Sequence, residues 1–378
     1  MEKRIKVMQV VWRLNTGGAE RMVVNFHNNF VNCDDVDIRT LSFTPCKGDL
    51  LEEEVKHEGV FYIDNFWGDR LPGPFSKVMR KLFYYKHRNK WFKKQIDEFA
   101  PDIIHIHLAN MASELYGFCK KLPPSIKVIY HLHSMPEAVS EKYRKNICRG
   151  VKEKVYMPVC VTELQKNSAE KIYGISKDTP IVYNGIDQSV FLNCEMSAEE
   201  REKLKAELDI PQDAFVVGCV GRIAAIKNYE LLAGAAGNIA ERKKTVFLVV
   251  GHNEADLETE IIKHAQNAKV IFTGPRSDTN RLYKIMDVFA LASFFESSSI
   301  VTVEAQLSGV PCIISDRISD EVIISDGVAK VSPYAEPDVW AKAIEEAQGK
   351  CIKLSDVERF DFNNSVDSLL RLYRKVVE

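Results

Sequence analysis

The sequence predicts an α/β chain of two domains, each an open parallel sheet with helices wound on both faces. Three observations predict it. Short apolar runs alternate with longer amphipathic ones along nearly the whole chain, which is the rhythm of a parallel sheet covered on both sides. The rhythm breaks once, in a polar stretch, and then restarts. At 378 residues the chain is also longer than one hydrophobic core ordinarily serves.

Taken in order, residues 5–12 read as the first strand and 19–30 as a helix opened by the Gly17-Gly18 turn. Residues 36–43, 60–63, 103–107, 128–133, 157–162 and 179–183 are apolar, β-branched runs that read as further strands. Asn184-Gly185 is a turn signal, and residues 193–200 are polar. Ser197 and Glu200 have the spacing of a capping box opening a charged helix to Leu208. The rhythm restarts at 215–220, with strands to follow at 246–250, 270–273, 288–291 and 312–315. Val366, Leu369, Tyr373 and Val376 recur at helical spacing near the end. The expected division is residues 1–190, residues 191–360, and a final helix over 361–378.

Composition narrows the function classes. Lys plus Arg total 51 against 53 for Asp plus Glu, and this near-neutral balance argues against a dedicated nucleic-acid binder. No run of about 18 apolar residues suggests a membrane span, and residues 5–14 make a poor signal peptide because Gln9 and Arg13 interrupt them. The nine cysteines form no CxxC pair and are odd in number, which favours free thiols in a reducing compartment over a disulfide scaffold or zinc ribbon. A cytoplasmic protein is expected.

In doubly wound sheets, ligands bind beyond the carboxyl ends of the strands, so chemistry is sought there. Gly17 and Gly18, between the first strand and its helix, allow a ligand to approach backbone N–H groups, although the motif alone reads equally well as a tight turn. Gly221-Arg222 and Lys227 flank the first loop of the second domain. Arg as a fork and Lys as a point charge suit adjacent phosphates; the plainer reading is two solvated surface cations. The strongest segment runs from Glu296 through Ser297, Ser298, Ser299 and Ile300 to Glu304. Its two carboxylates stand eight apart, and its serines open an apolar helix. A charged Glu304 in that apolar setting calls for a partner. His105, His107, His131 and His133 sit at two strand ends. They read better as hydrogen-bonding groups lining a crevice than as a zinc site, because no HExxH or Cys partner accompanies them. His133 lies farthest along and is the choice for the reacting end. Residues 77–94 hold eight Lys or Arg and no acid. With the stripe Val78, Leu82, Tyr85, Phe92, Ile96 and Phe99 they fit a surface for anionic lipid, or equally a packing helix with a solvated basic face. The aromatic residues 66–68 and the loop 71–74 precede them.

With these motifs in place, the chain resembles the GT-B-fold glycosyltransferases of the large retaining family 4, in particular the bacterial capsular and exopolysaccharide enzymes. The resemblance rests on residues 17–21, 182–187, 220–222, 227–228, 272–274, the Glu296/Glu304 pair and residues 304–316, and it spans nearly the whole chain. It implies two Rossmann-like domains facing across a cleft, the first binding the acceptor and the second a nucleotide sugar, typically a UDP sugar. By resemblance, Arg222 and Lys227 hold the diphosphate and Glu304 the ribose. Glu296 contacts the donor sugar, with Ser297, Ser298, Ser299 and Ile300 alongside. Gly17, Gly18, Asn184, Gly221 and Gly274 line the substrate, and His133 meets the sugar. No metal and no other cofactor is implied. The acceptor implied is a polyprenyl-diphosphate-linked saccharide at the inner membrane face. The chain departs from the family in having Ser297 after Glu296 where glycine is usual, and His252 after Gly251. A GT-B-fold UDP-sugar epimerase and a non-catalytic nucleotide-sugar-binding module are the rival readings.

Overall fold

The computed structural model describes residues 4–63 apart from Thr16, Cys46 and Asp49, and residues 75–378 apart from 254–256. Residues 66–68 and 71–74 lie outside the described residues, as do the side chains of Val78 and Leu82. The chain divides into two compact units. One comprises Met1–Val182 with Val366–Glu378, the other Tyr183–Ser365.

The first unit is built on six strands: β1 (Ile5–Val11), β2 (Val36–Ser42), β3 (Val60–Tyr62), β4 (Ile103–His107), β5 (Lys127–His131) and β6 (Met157–Val159). They pair in parallel in the order β3-β2-β1-β4-β5-β6. This is the dinucleotide-fold order, and the direction in which successive strands are added reverses between β1 and β4. β1 and β4 are buried along nearly their whole length, so apolar residues dominate both, interrupted by Lys6 and Gln9 in β1 and by His105 and His107 in β4. The expected strand over 179–183 reduces to one bridge, Ile181 with Cys160. Pro180 has no N–H to continue a ladder there.

The second unit repeats the plan with β7 (Phe215–Val220), β8 (Thr245–Val250), β9 (Lys269–Phe272), β10 (Val288–Leu291), β11 (Cys312–Ser315) and β12 (Val328–Val331). The order is β12-β11-β10-β7-β8-β9, all parallel, so its reversal point lies between β7 and β10. β12 was not expected from the sequence. It is a four-residue edge strand with only partly buried or exposed positions and a lysine, Lys330, in its middle, too brief to stand out.

Local chemistry accounts for several boundaries. Ser197 Oγ accepts the Glu200 N–H at 3.1 Å and Glu200 Oε2 accepts the Ser197 N–H at 2.8 Å, the reciprocal cap the spacing predicts for the helix Ala198–Glu207. Residues 184–186 belong with the second unit because the Ile186 N–H donates to Phe360 O at 2.9 Å and Phe362 N–H to Ile186 O at 3.1 Å. In the last helix, Phe362–Val377, the expected stripe Val366, Leu369, Tyr373 and Val376 is buried. Tyr373 OH and His105 Nδ1 lie 2.6 Å apart, tying this helix to β4 of the first unit. Among the described residues no helix is long and apolar enough to cross a membrane.

Candidate functional site

Each unit gathers its chemistry at the reversal point of its own sheet. In the second unit β7 ends at Val220 and β10 at Leu291, and the loops that follow are bound together. Lys227 Nζ donates to Glu296 Oε1 in an ion pair whose side chains are only 15% and 14% exposed. Ser293 Oγ donates to the same carboxylate oxygen at 2.9 Å, and the Phe294 N–H donates to Ile226 O at 2.9 Å. The two residues stand 69 apart in sequence, and only the sheet order makes them neighbours. A lysine so enclosed is a preorganised positive charge.

The glycines here have a stated geometry. Gly221 follows β7 with φ +146° and Gly251 follows β8 with φ +147°, a region that L side chains rarely adopt. The Gly221 N–H donates to Val250 O at 2.9 Å and the Gly251 N–H to Gly274 O at 3.0 Å, so the three strand ends are laddered. Tyr229 OH donates to Gly221 O at 2.9 Å. A Cβ on Gly251 would lie 2.0 Å from Gly221 O, whereas one on Gly274 would meet nothing within 4 Å. Gly251→Ala is therefore expected to cost more than the roughly 1–3 kcal/mol of a strained backbone residue, and Gly274→Ala no more than that. Urea unfolding of the two variants checks the contrast; equal costs would contradict it.

Arg222 is exposed, one residue beyond Gly221. Ser299 is the N-terminal residue preceding the helix Ile300–Leu307 and bonds Thr302 Oγ1 at 2.9 Å rather than capping the helix. Ser297 and Ser298 are partly buried in the loop just before it, and Ile300 packs against the core. Glu304, partly buried on that helix, accepts from Tyr283 OH at 3.0 Å. This is the partner its apolar setting demanded. Asn184 is buried in the second unit. Sequence reasoning did not single out Ser293, Tyr229 or Tyr283, and no spacing marks them.

In the first unit Gly17 precedes the helix Gly18–Phe30 and accepts the Arg21 N–H at 2.9 Å, while Arg21 itself pairs with Glu54. The four histidines line one side of β4 and β5. His107 Nδ1 lies 2.9 Å from His133 Nε2, with the His105 and His131 rings stacked beside them. Burial pulls the pKa of His105 down to about 3 and of His133 to about 4, and holds His107 and His131 well below the ordinary range, helped by the neighbouring rings. All four are neutral at pH 7. Ring nitrogens of His105, His107 and His131 lie within 4.8 Å of one another, a spacing a cation could use. His107, however, has both nitrogens in hydrogen bonds, to His133 and to Gln9 Oε1 at 3.1 Å. As arranged, the set does not present three lone pairs to one ion.

The basic segment 77–94 lies on the helix Phe75–Phe99, where Phe92, Ile96 and Phe99 are buried as the stripe predicts. Part of its charge is compensated by acidic neighbours. Arg88 is buried, bonded to Glu114 Oε2 at 2.6 Å and lying 4.7 Å from the Tyr85 ring centroid. Lys93 pairs with Asp97 at 2.6 Å and Lys94 with Glu98 at 3.7 Å. Tyr85 and Arg88, with Lys121, Lys142 and Tyr143, line a cavity of about 390 Å³.

Comparison with known proteins follows the same two-part division. The family described as Glycosyltransferase Family 4 matches residues 16–190, and that described as Glycosyl transferases group 1 matches residues 200–350. EpsF of Bacillus subtilis (strain 168), named as a glycosyltransferase, is 26% identical over 356 residues, covering 90% of this chain and 87% of its own. The Escherichia coli UDP-Gal:alpha-D-GlcNAc-diphosphoundecaprenol alpha-1,3-galactosyltransferase is 24% identical over 273 residues, covering 68% of this chain and 64% of that enzyme. Among solved structures, Anabaena HepE in complex with UDP and glucose superposes with a TM-score of 0.74 at 18% identity, covering 98% of this chain and 100% of that one. Two matched halves, two six-stranded parallel sheets and this set of relatives converge: the chain is a GT-B-fold glycosyltransferase, its first half matched by Glycosyltransferase Family 4 and its second by Glycosyl transferases group 1.

Proposed function

We propose that this enzyme moves a sugar, with retention of anomeric configuration, from a UDP sugar to a polyprenyl-diphosphate-linked saccharide during surface-polysaccharide synthesis. The observation that carries the reading is the enclosed Lys227–Glu296 pair at the reversal point of the second sheet. The UDP complex of HepE and the diphosphoundecaprenol acceptor of the Escherichia coli relative support the choice of donor and acceptor.

In this mechanism the bond from the anomeric carbon to the β-phosphate oxygen breaks through an oxocarbenium-like state. The acceptor hydroxyl attacks from the same face, its oxygen bonds to the anomeric carbon, and its proton passes to the departing diphosphate. Negative charge grows on that diphosphate. Lys227 and Arg222 neutralise it, so in this reading the chain's own cations do the work of a divalent metal and no cofactor takes part. Glu296 orients Lys227 and meets the donor sugar, with residues 297–300 beside it. Glu304 accepts from the ribose hydroxyls. Gly17 and Gly18 approach the donor, Gly221, Gly274 and Asn184 shape its site, and His133 meets a sugar hydroxyl. Exposed Lys86 and Lys90 on the helix Phe75–Phe99 would bring the enzyme to anionic lipid at the cytoplasmic membrane face.

The test is product analysis by mass spectrometry. The protein is given a panel of nucleotide sugars and a polyprenyl-diphosphate-linked N-acetylhexosamine in anionic or neutral vesicles. The expected result is one added sugar on the lipid, from a UDP donor, faster in anionic vesicles. Release of an epimerised free nucleotide sugar, with no change in the lipid, would overturn the reading.

A further inference from the structure

A buried polar chain crosses the first sheet, and each of its hydrogen bonds has a direction that elementary valence fixes. It begins at His27, whose Nε2 lies 2.9 Å from both Lys56 O and Glu58 O. Carbonyl oxygens only accept, so this nitrogen carries the proton. Burial lowers the His27 pKa, and in the neutral ring Nδ1 then holds the lone pair. Thr40 Oγ1, 2.9 Å away, must donate to it. Thr40 Oγ1 in turn accepts from Gln9 Nε2 at 3.2 Å, and Gln9 Nε2 also faces Val23 O at 3.5 Å. That second carbonyl fixes which way the amide points. Gln9 Oε1 is left to accept from His107 Nε2 at 3.1 Å. His107 therefore holds its proton on Nε2 and its lone pair on Nδ1, and His133 Nε2, 2.9 Å away, must be the donor.

Gln9, His27, Thr40 and His107 are all wholly buried, so water does not scramble the order. Gln9 pairs across the sheet with Thr40 on one side and with His105 on the other, which places the chain on one face at the β1/β4 reversal point. A glutamine inside the apolar strand Ile5–Val11 costs burial energy unless its amide is bonded at both ends. Here it is.

We propose that Gln9 and His107 are positioning residues: the chain from His27 through Thr40, Gln9 and His107 holds His133 as the Nε2–H tautomer, so that His133 offers Nδ1 as an acceptor to a hydroxyl of the transferred sugar. The assignment of a sugar hydroxyl to His133 rests on the proposed function; the tautomer does not. The device selects for a substrate group that donates. A sugar lacking that hydroxyl, or carrying an acceptor in its place, is discriminated against, because a buried acceptor left unmatched is costly.

The test is long-range proton–nitrogen correlation NMR on the full chain labelled with ¹⁵N-histidine. His107 and His133 are assigned from the resonances lost in His107→Gln and His133→Gln. Wild-type protein is expected to show a protonated Nε2 and an unprotonated Nδ1 on both rings. A protonated Nδ1 on His133 overturns the proposal without any variant being needed. In Gln9→Met, which removes the acceptor at similar volume, the Nδ1–H form of His133 is expected to appear and kcat to fall roughly tenfold, the worth of about one hydrogen bond, with the donor KM little changed. Thr40→Val, which leaves the Gln9 amide in place, gives a smaller change in the same direction and serves if Gln9→Met does not fold. An unaltered His133 tautomer in the folded variant overturns the chain's role. If the tautomers are as expected but no sugar is transferred to the lipid, the proposed function fails and the chain stands.

Discussion

Replacing Lys227 by alanine is expected to lower turnover by about 10²–10³, the usual cost of losing one preorganised group that stabilises transition-state charge. Arg222→Ala is expected to do the same. Lys227 is held where β7 and β10 end side by side, paired to Glu296 and mostly enclosed. A charge held this way needs no reorganisation when negative charge grows on the leaving group. Arg222 is exposed and adds a guanidinium that can bond two phosphate oxygens at once. Neither residue belongs to the hydrophobic core, so both variants should stay folded at assay temperature. Lys227→Arg keeps the charge and should retain more activity than Lys227→Ala. Steady-state rates beside thermal denaturation separate the two effects. Near-wild-type rates in both alanine variants would contradict the assignment.

The second large effect is on stability in acid. His105, His107 and His131 are wholly buried, and burial holds all three well below their ordinary pKa, His105 at about 3. His27 is shifted in the same direction. The folded state keeps these rings neutral, whereas the unfolded chain takes up protons below about 6.5. The unfolded state therefore binds more protons between those limits, and stability falls as pH falls. Above about 6.5 the rings contribute no slope. Below it each removes up to about 1.4 kcal/mol per pH unit. Three together remove on the order of 4 kcal/mol per unit, so a stability of about 5–15 kcal/mol is consumed within a few units. Urea titrations from pH 7.5 to 4.5 are expected to show a flat region and then this steep loss. His131→Phe should flatten the slope by about one ring's share. A slope unchanged by that substitution would show that other groups cause the acid loss.

Much of this architecture could be read from the residues. Both sheets announce themselves because parallel strands covered on two faces are mostly apolar, as in residues 215–220 and, with Lys6 and Gln9 as exceptions, residues 5–11. Ser197 and Glu200 marked a helix start by a purely local geometry, and the structure forms both of its bonds. What stayed hidden was non-local. Lys227 and Glu296 could each be picked out, yet nothing in the sequence pairs residues 69 apart. β12 was missed because a short edge strand buries little. The basic look of residues 77–94 misled in part, since Glu114, Asp97 and Glu98, all outside the segment, meet Arg88, Lys93 and Lys94. Gln9 did leave a signal, a buried amide inside a mostly apolar strand. Its meaning depended on partners contributed by three other elements, through Val23, Thr40 and His107.

In the proposed reaction, cations of the second unit neutralise a nucleoside diphosphate as the glycosyl group leaves. Calorimetric titration tests it most directly, comparing wild-type and Lys227→Ala protein against the tightest binder among UDP, GDP, ADP and dTDP and against that compound's parent nucleoside. The wild type is expected to bind the diphosphate far more tightly than the nucleoside, and Lys227→Ala to lose most of this preference while nucleoside binding is unchanged. A preference of the same size in both proteins would contradict it.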